Sequence, residues 1–342
     1  MLLEKLCNEN GVSGNEDKIR AIILDEIKPY ADKITIDSMG NIIAFKKGKK
    51  ASKKVMLSAH MDEVGFIISG ITDKGYLKFK TVGGIDTRVL ISKRVRVGDE
   101  KICGIIGMKA IHLQTASESE RVPDISDLTI DIGAKSKEEA KKKVSIGDYA
   151  VFDTEYSDFG TDKIKAKAID DRVGCMILID ALKQGCKEDL YACFTVQEEV
   201  GLRGASVCAY EVNPDIALVV ESTTCSDVYK TDEKDFVTIC GGGAAISFMD
   251  RATITDRRYS EYLYNMAKEN NICVQYKKTT MGGNDAGIIH KTNAGIKTAS
   301  VSVPCRYLHS PVGVASKSDI EAVRKLVLVY LDNIGGIING IA

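Results

Sequence analysis

The chain has 342 residues, with 47 Lys and Arg against 48 Asp and Glu, for a formal charge of −1. That balance excludes a protein that holds nucleic acid through bulk charge, which needs a basic excess or patch. Hydrophobic residues make up 44%, enough for a sizeable core, and the length suggests about two domains at roughly 150 residues each.

The first residues, MLLEKLCNENGVSGNEDKIR, are polar and acidic without an apolar core, so no standard export signal is expected. The longest apolar runs, such as Ile216–Val220, are far too short to span a bilayer. The ten cysteines include no CxxC pair, which excludes a zinc ribbon or a thioredoxin-type motif. Their scatter through apolar patterns reads as reduced, buried thiols of a cytoplasmic protein.

In chain order, Glu16–Ile27 carries a helical stripe of Ile19, Ile22, Ile23 and Ile27. Ile34–Phe45 alternates as strand around a turn at Met39-Gly40-Asn41, and Lys54–Ala59 reads as a short buried strand. From about Gly65 to Tyr156 the pattern changes to short strands with Gly-Asp and Gly-Gly turns, one helical stretch near Ser136–Lys142, and a polar segment, Gln114–Ser126, that reads as a mobile loop. After Thr161, strand and helix alternate again: helix at Arg172–Lys183, strand at Leu190–Val196, helix at Gly201–Tyr210, strand at Asp215–Val220, helix at Asp256–Asn270, strand at Lys297–Val303 and a terminal helix at Ser316–Asn333. The expected architecture is α/β, a mixed, mostly parallel sheet sandwiched by helices, split by an inserted β module. The expected division is a main domain at 1–66 and 160–342 and an insert at 67–159.

Chemistry-bearing residues gather at the expected strand ends, where ligands of open α/β sheets bind. His60 leaves a buried strand with Asp62 two positions on, facing the same way in extended chain and able to orient the imidazole. Asp170 and Asp171 precede a helix; they read either as a cap with a first-turn charge or as a cation-bridging carboxylate with a brace. Glu198 and Glu199 follow an apolar strand, and two adjacent carboxylates there are costly without a cation. Glu221 follows another strand, and His309 precedes Pro311 after a further one. With only four His in the chain, two of them in this set point to a mixed imidazole–carboxylate centre for zinc, cobalt or manganese, and two such cations can share a carboxylate and activate water. The remaining features have plainer readings. His112 is placed at a surface or interface, His290 at a helix end, and Asp285 as that helix's cap. Gly241-Gly242-Gly243 lacks the Lys-Ser/Thr of a phosphate loop, and the basic run Lys46–Lys54 reads as a solvated turn. There is no GxSxG elbow.

The segments SAHMDEVGF (Ser58–Phe66), AIDDRVG (Ala168–Gly174), VQEEVGLRGA (Val196–Ala205), ESTTCSDV (Glu221–Val228), GGNDAG (Gly282–Gly287) and RYLHSPV (Arg306–Val312) together resemble the M42 metalloaminopeptidases, the glutamyl, deblocking and tetrahedral (TET) aminopeptidases. They run in family order over nearly the whole chain. The resemblance implies a zinc-peptidase-like fold with a PDZ-like β-barrel dimerisation insert. It implies two divalent cations, zinc or cobalt with manganese as a third candidate, one held by His60, Asp170 and Glu221 and the other by Asp170, Glu199 and His309. Glu198 would be the general base, Asp62 the orienter of His60, and Asp170–Asp171 a cis peptide. Position 221 is Glu where Asp is common in the family. Implied partners are short peptide substrates and further copies of the chain, as dimers and a tetrahedral dodecamer, with no nucleic acid and no membrane. Two other readings stand beside this one. The first is a glycoside hydrolase, since some family members are labelled endoglucanases and paired carboxylates serve glycosidases; the second is a non-catalytic member that retains the fold.

Overall fold

The computed structural model describes residues 1–49 and 51–341; Lys50, within the basic run, lies outside the described residues. Helices α1 (Leu2–Asn8) and α2 (Asp17–Ile27) lead into strands β1 (Lys33–Ile36), β2 (Ile42–Lys46) and β3 (Lys54–His60). Next come β4 (Gly65–Ile71), β5 (Leu77–Val82), β6 (Arg94–Val97), β7 (Ile102–Met108), α3 (Ala116–Glu120), β8 (Leu128–Asp131), α4 (Lys137–Lys141) and β9 (Tyr149–Phe152). The chain continues through β10 (Ser157–Phe159), β11 (Lys163–Ala166), α5 (Ile169–Gln184), β12 (Asp189–Thr195), α6 (Arg203–Val212) and β13 (Ile216–Cys225). It ends with β14 (Ala244–Ser247), α7 (Arg257–Glu269), β15 (Val274–Lys277), α8 (Ala286–Ile289), β16 (Lys297–Arg306), β17 (Gly313–Ser316), α9 (Lys317–Asp332) and α10 (Ile334–Ile341).

The strands form two bodies. One is an 11-stranded mixed sheet in the order β1-β2-β12-β3-β13-β16-β17-β11-β10, with β14 antiparallel to β16 and β15 parallel to β14. Its centre, β12-β3-β13-β16, is parallel throughout. The central strands read as continuous apolar runs, as two-sided burial requires; β3 is buried from Val55 to His60. Helices α1, α2, α5, α7 and α9 pack one side through residues such as Ile19, Ile23, Val173, Ile177, Leu263 and Val323, while α6 and α8 cover the other through Ala205, Cys208, Ala209 and Ile289. The second body is a closed barrel in the order β4-β5-β8-β7-β6-β9. Phe66 is its inner anchor, edge-on to Phe79 (5.2 Å) and to Phe152 (5.1 Å).

Three local features differ from the sequence reading. Gln114–Ser126 is not all loop: Thr115 and Glu118 form a capping box that starts α3, with the Thr115 N–H donating to Glu118 Oε2 at 2.7 Å. Strand β13 runs past Val220 to Cys225 because its ladder with β16 continues from Glu221↔Ser302 to Cys225↔Arg306, so Glu221 lies within the strand. Asp285 does not cap α8 with its side chain; Asn284 Oδ1 accepts from the Ala286 N–H at 3.0 Å, and Asp285 turns inward. The Gly241–Gly243 run wraps a carboxylate of the fold itself: the N–H groups of Gly241 and Gly243 donate to Asp319 at 2.6 and 2.7 Å. Gly243 has φ +87 there and lies against the Cys273 carbonyl, leaving no room for a Cβ.

Candidate metal centre

The four parallel strands end side by side, and their carboxyl ends carry the chemistry. His60 closes β3, Glu198 and Glu199 follow β12, Glu221 sits in β13 and His309 follows β16, while Asp170 enters from the start of α5. Ala168, Gln197, Tyr307 and His309 all have positive φ, 53 to 60°, a region that residues with a Cβ seldom adopt outside tight functional turns. These turns lie beside the strand ends that carry the site residues. The Asp170–Asp171 peptide is cis.

The acidic and imidazole groups converge. His60 Nε2 is 3.4 Å from Asp170 Oδ1 and 3.7 Å from Glu221 Oε2. His309 Nε2 is 3.4 Å from Asp170 Oδ2 and 3.2 Å from Glu199 Oε2. Asp170 thus turns one oxygen to each imidazole. Three groupings bring one ligand atom per residue within 4.8 Å of each other: His60, Glu198 and Glu199; His60, Asp171 and Glu221; and Asp170, Glu199 and His309.

The electrostatics of the cluster favour added positive charge. Burial alone would lower the pKa of His309, but Asp170 and Glu199 outweigh it and hold the imidazole at about 11. His60 is likewise held well above the usual range, by Asp170, Asp62, Glu221 and Glu198 against its burial. Burial drives Glu198 and Glu221 well upward, with His60 opposing, and lifts Glu199, with His309 opposing. Asp170 Oδ1 and Glu221 Oε1 are buried without a hydrogen-bond donor. Orphaned carboxylate oxygens beside crowded like charges fit divalent cations, which supply the missing positive charge and accept oxygen and imidazole ligands together.

Other side chains brace the centre. Asp62 does more than face His60: His60 Nδ1 is nearer the Asp62 backbone carbonyl (3.1 Å) than its carboxylate (3.5 Å). The carboxylate accepts from the N–H groups of Glu198 (3.0 Å) and Glu199 (3.1 Å) and from Ser13 Oγ (2.6 Å), so it fixes the loop bearing both glutamates. Asp171 accepts from the N–H groups of His60 (3.3 Å) and Gly174 (3.0 Å). Glu16 Oε1 accepts from the N–H groups of Gly14 and Gln197, and burial pushes its carboxyl up to about 7. Lys167 and Arg172 flank Asp170 in sequence, and both pair with buried Glu63, Lys167 Nζ at 2.7 Å and Arg172 Nη2 at 3.2 Å. Breaking such a buried set by removing one partner costs about 3–5 kcal/mol, so the start of α5 is firmly anchored. Asp285 accepts from Thr195 Oγ1 at 2.7 Å behind the centre, and burial lifts its carboxyl to about 6. Ser13, Glu16 and Lys167 lie in none of the quoted motifs, and Glu63 lies inside Ser58–Phe66 without a role that the sequence assigns. His112 is exposed, and His290 ends α8 with Nδ1 2.8 Å from the Ala286 carbonyl.

A cavity of ≈ 460 Å³ opens onto the centre, lined by His60, Asp170, Glu198, Glu221 and His309 and on its farther wall by Thr223, Lys277, Thr279 and Met281. Two imidazoles and several carboxylates at the carboxyl ends of buried central strands, beside a cleft of small-molecule size, suit metal-assisted hydrolysis.

The family model for "M42 glutamyl aminopeptidase" matches residues 40–326. A relative in Acetivibrio thermocellus, named as a candidate aminopeptidase, is 43% identical over 329 residues, 96% of each chain. The lysyl aminopeptidase of Pyrococcus furiosus is 31% identical over 97% of this chain and 96% of its own. The TET1 peptidase of Pyrococcus horikoshii, reported to assemble into a tetrahedron or a large octahedral shell, superposes with a TM-score of 0.85 at 36% identity, covering 96% of this chain and 98% of that one. The chain belongs to the M42 glutamyl aminopeptidase family. It is an aminopeptidase, a hydrolase of peptide bonds.

Proposed function

We propose that His60, Asp170 and Glu221 hold one divalent cation, and Asp170, Glu199 and His309 a second, in an enzyme that removes the N-terminal residue of short peptides. The observation that carries this reading is Asp170, whose two oxygens each lie 3.4 Å from a different imidazole. Zinc or cobalt suits the donor set, and manganese is the third candidate. When bound, such a pair supplies Lewis acidity, polarising a carbonyl and bringing the pKa of water towards about 7. Glu198 accepts the proton of the attacking water on its carboxylate and hands it to the leaving amine. Asp62 holds Glu198 and Glu199 in place through their N–H groups, and Asp171 holds His60 through its N–H. The test is removal and return of metal: stripped protein loses hydrolysis of aminoacyl-4-nitroanilides, and zinc, cobalt or manganese added singly restores it. Stripped protein that keeps full turnover sinks the reading.

Cation uptake is also expected to release protons. An imidazole ligates only when neutral, and both imidazoles are held protonated at pH 7 in the metal-free chain, His309 with a pKa of about 11. Binding therefore expels about two protons per chain from the histidines, with any glutamic acid proton in addition, and apparent affinity rises with pH. Calorimetric titration in buffers of different ionisation enthalpy measures the count; zero release at pH 7 contradicts it.

We further assign the closed barrel, β4 to β9 (residues 65–152), to an inserted dimerisation domain and the rest to the catalytic domain; the expected insert of 67–159 shifts because Gly65 and Phe66 pair within the barrel while β10 joins the main sheet. The closed barrel and its exposed Ile105, Ile111 and Leu113 support a contact surface there. The proposal extends to dimers and a tetrahedral dodecamer, supported by the dodecameric and tetrahedral assemblies of TET1 peptidase. All ten cysteines are free, which supports a cytoplasmic location.

A further inference from the structure

Hydrogen bonds lay the end of β13 against the segment that leads into β14. Thr238 Oγ1 donates to the Thr224 carbonyl at 2.9 Å and lies 3.4 Å from Cys225 Sγ. The Val237 N–H donates to Ser226 Oγ at 2.8 Å, and the Cys240 N–H donates to Asp227 Oδ2 at 3.1 Å. The two stretches run side by side and bring the thiols of Cys225 and Cys240 together, joined by a hydrogen bond. Cys225, the last residue of β13, is 4% exposed, whereas Cys240 is half-buried and meets solvent. Arg306, opposite Cys225 in the β13–β16 ladder, fixes the same corner by holding Asp227 at 2.7 and 2.9 Å. The pair is polarised. The hydrogen bond from Cys225, helped by the Arg306 charge, lowers the pKa of Cys240 against burial and against Asp319 and Asp227. The same bond and burial raise that of Cys225. A thiol that readily becomes a thiolate thus faces water, with a protonated thiol behind it. Neither belongs to the proposed cation ligands.

We propose that Cys240 and Cys225 are a redox modification site, a dithiol that hydrogen peroxide closes to a reversible disulfide, with Cys240 as the attacking thiolate and Cys225 as the resolving thiol. The Cys240 sulfur attacks one peroxide oxygen; the O–O bond breaks, the other oxygen leaves as water after taking a proton, and Cys240 becomes a sulfenic acid. The Cys225 sulfur then attacks the Cys240 sulfur, the S–O bond breaks, and a second water leaves with the Cys225 proton. Two thiols thus give two electrons and two protons to one peroxide, and a small dithiol reverses the step by exchange. In a reducing compartment such bonds are transient and serve sensing rather than structure. This one ties the end of the strand that bears Glu221 to the segment entering β14. A second thiol pair shows what access adds. Cys193 and Cys208 also share a hydrogen bond, but both are fully buried in the core, out of reach of an oxidant in the folded protein.

The experiment treats the zinc-loaded full-length protein with hydrogen peroxide, blocks the remaining thiols and maps the ten cysteines by mass spectrometry without reduction; zinc adds no redox chemistry of its own. Wild type is expected to lose two thiols and about 2 Da, with the peptide of Cys225 joined to that of Cys240, and dithiothreitol restores both thiols. Exposure alone favours Cys103 and Cys273, the two exposed cysteines; the proposal reverses that order, with Cys240 oxidised about 10-fold faster than either. In Cys225→Ser, Cys240 stops at the sulfenic acid and is trapped by dimedone. In Cys240→Ser, Cys225 stays reduced at the same dose. The wild-type link needs no variant, so a poorly folding Cys225→Ser leaves the test intact. Oxidation of Cys103 or Cys273 while Cys225 and Cys240 stay reduced overturns the proposal. So does a link from Cys240 to any other cysteine, or over-oxidation of Cys240 with Cys225 still free. No arm depends on peptide hydrolysis, so failure here leaves the aminopeptidase reading untouched.

Discussion

Glu198→Gln is expected to lower kcat by about 10²- to 10⁴-fold, the usual worth of a general base, with cation content unchanged. The substitution keeps size and hydrogen bonding but removes the group that accepts a proton. Its main-chain position survives, because Asp62 holds the residue by its N–H. The choice between base and ligand is real, since Glu198 also lies within ligand distance of His60 and Glu199. A ligand role predicts loss of metal; a base role predicts a slow enzyme with both cations in place and KM little changed. Parallel measurement of kcat and metal per chain separates them. Burial, together with the charges of Asp285 and Glu199, lifts the Glu198 carboxyl in the metal-free chain. A carboxyl raised by burial is a stronger proton acceptor than one in water. A Glu198→Gln enzyme with near-normal turnover and full metal content would remove this role.

Much of the centre was visible in the sequence because its residues are rare types at places fixed by pattern. His60, Glu198 and Glu199 each come at the end of an apolar run whose simplest reading is a buried strand, and Asp170 and Asp171 open a helix. Neighbour relations were not visible. β3 lies between β12 and β13, partners that are distant in sequence, and no local periodicity encodes that order. The buried Glu63–Lys167–Arg172 set was missed for a related reason. Each charge alone reads as solvated, and only the fold shows that they meet with side chains at most 4 % exposed. Asp285 was read as a cap because Asp before a short helix usually is one, yet Asn284 takes that role and frees Asp285 to accept from Thr195. The α3 helix was legible in principle, as Thr115-x-x-Glu118 is a capping box, but the surrounding polarity masked it.

Asp170→Asn is expected to empty both cation sites together, whereas His309→Gln empties one. The argument is geometric: Asp170 alone offers an oxygen on each side, at 3.4 Å from each imidazole. Even residues outside the ligand set change metal affinity by about 10–100-fold when mutated, so loss of a shared ligand falls at or beyond the upper end of that range for both cations, and hydrolysis drops with them. Metal per chain, measured after dialysis, is expected near zero for Asp170→Asn and near one for His309→Gln; one full cation retained in Asp170→Asn shows that the carboxylate is not shared. The metal-free protein gives an independent readout. Burial alone would raise the Asp170 pKa, but His309 and His60 outweigh it and hold it below the usual carboxylate range. A depressed carboxyl contributes stability above its unfolded pKa, and that contribution is lost as pH falls through the folded value. Asparagine lacks it at every pH. Metal-free Asp170→Asn is therefore expected to melt below the metal-free wild type at pH 7, where two protonated imidazoles lose their common anion, and the gap closes as acid protonates Asp170 in the wild type.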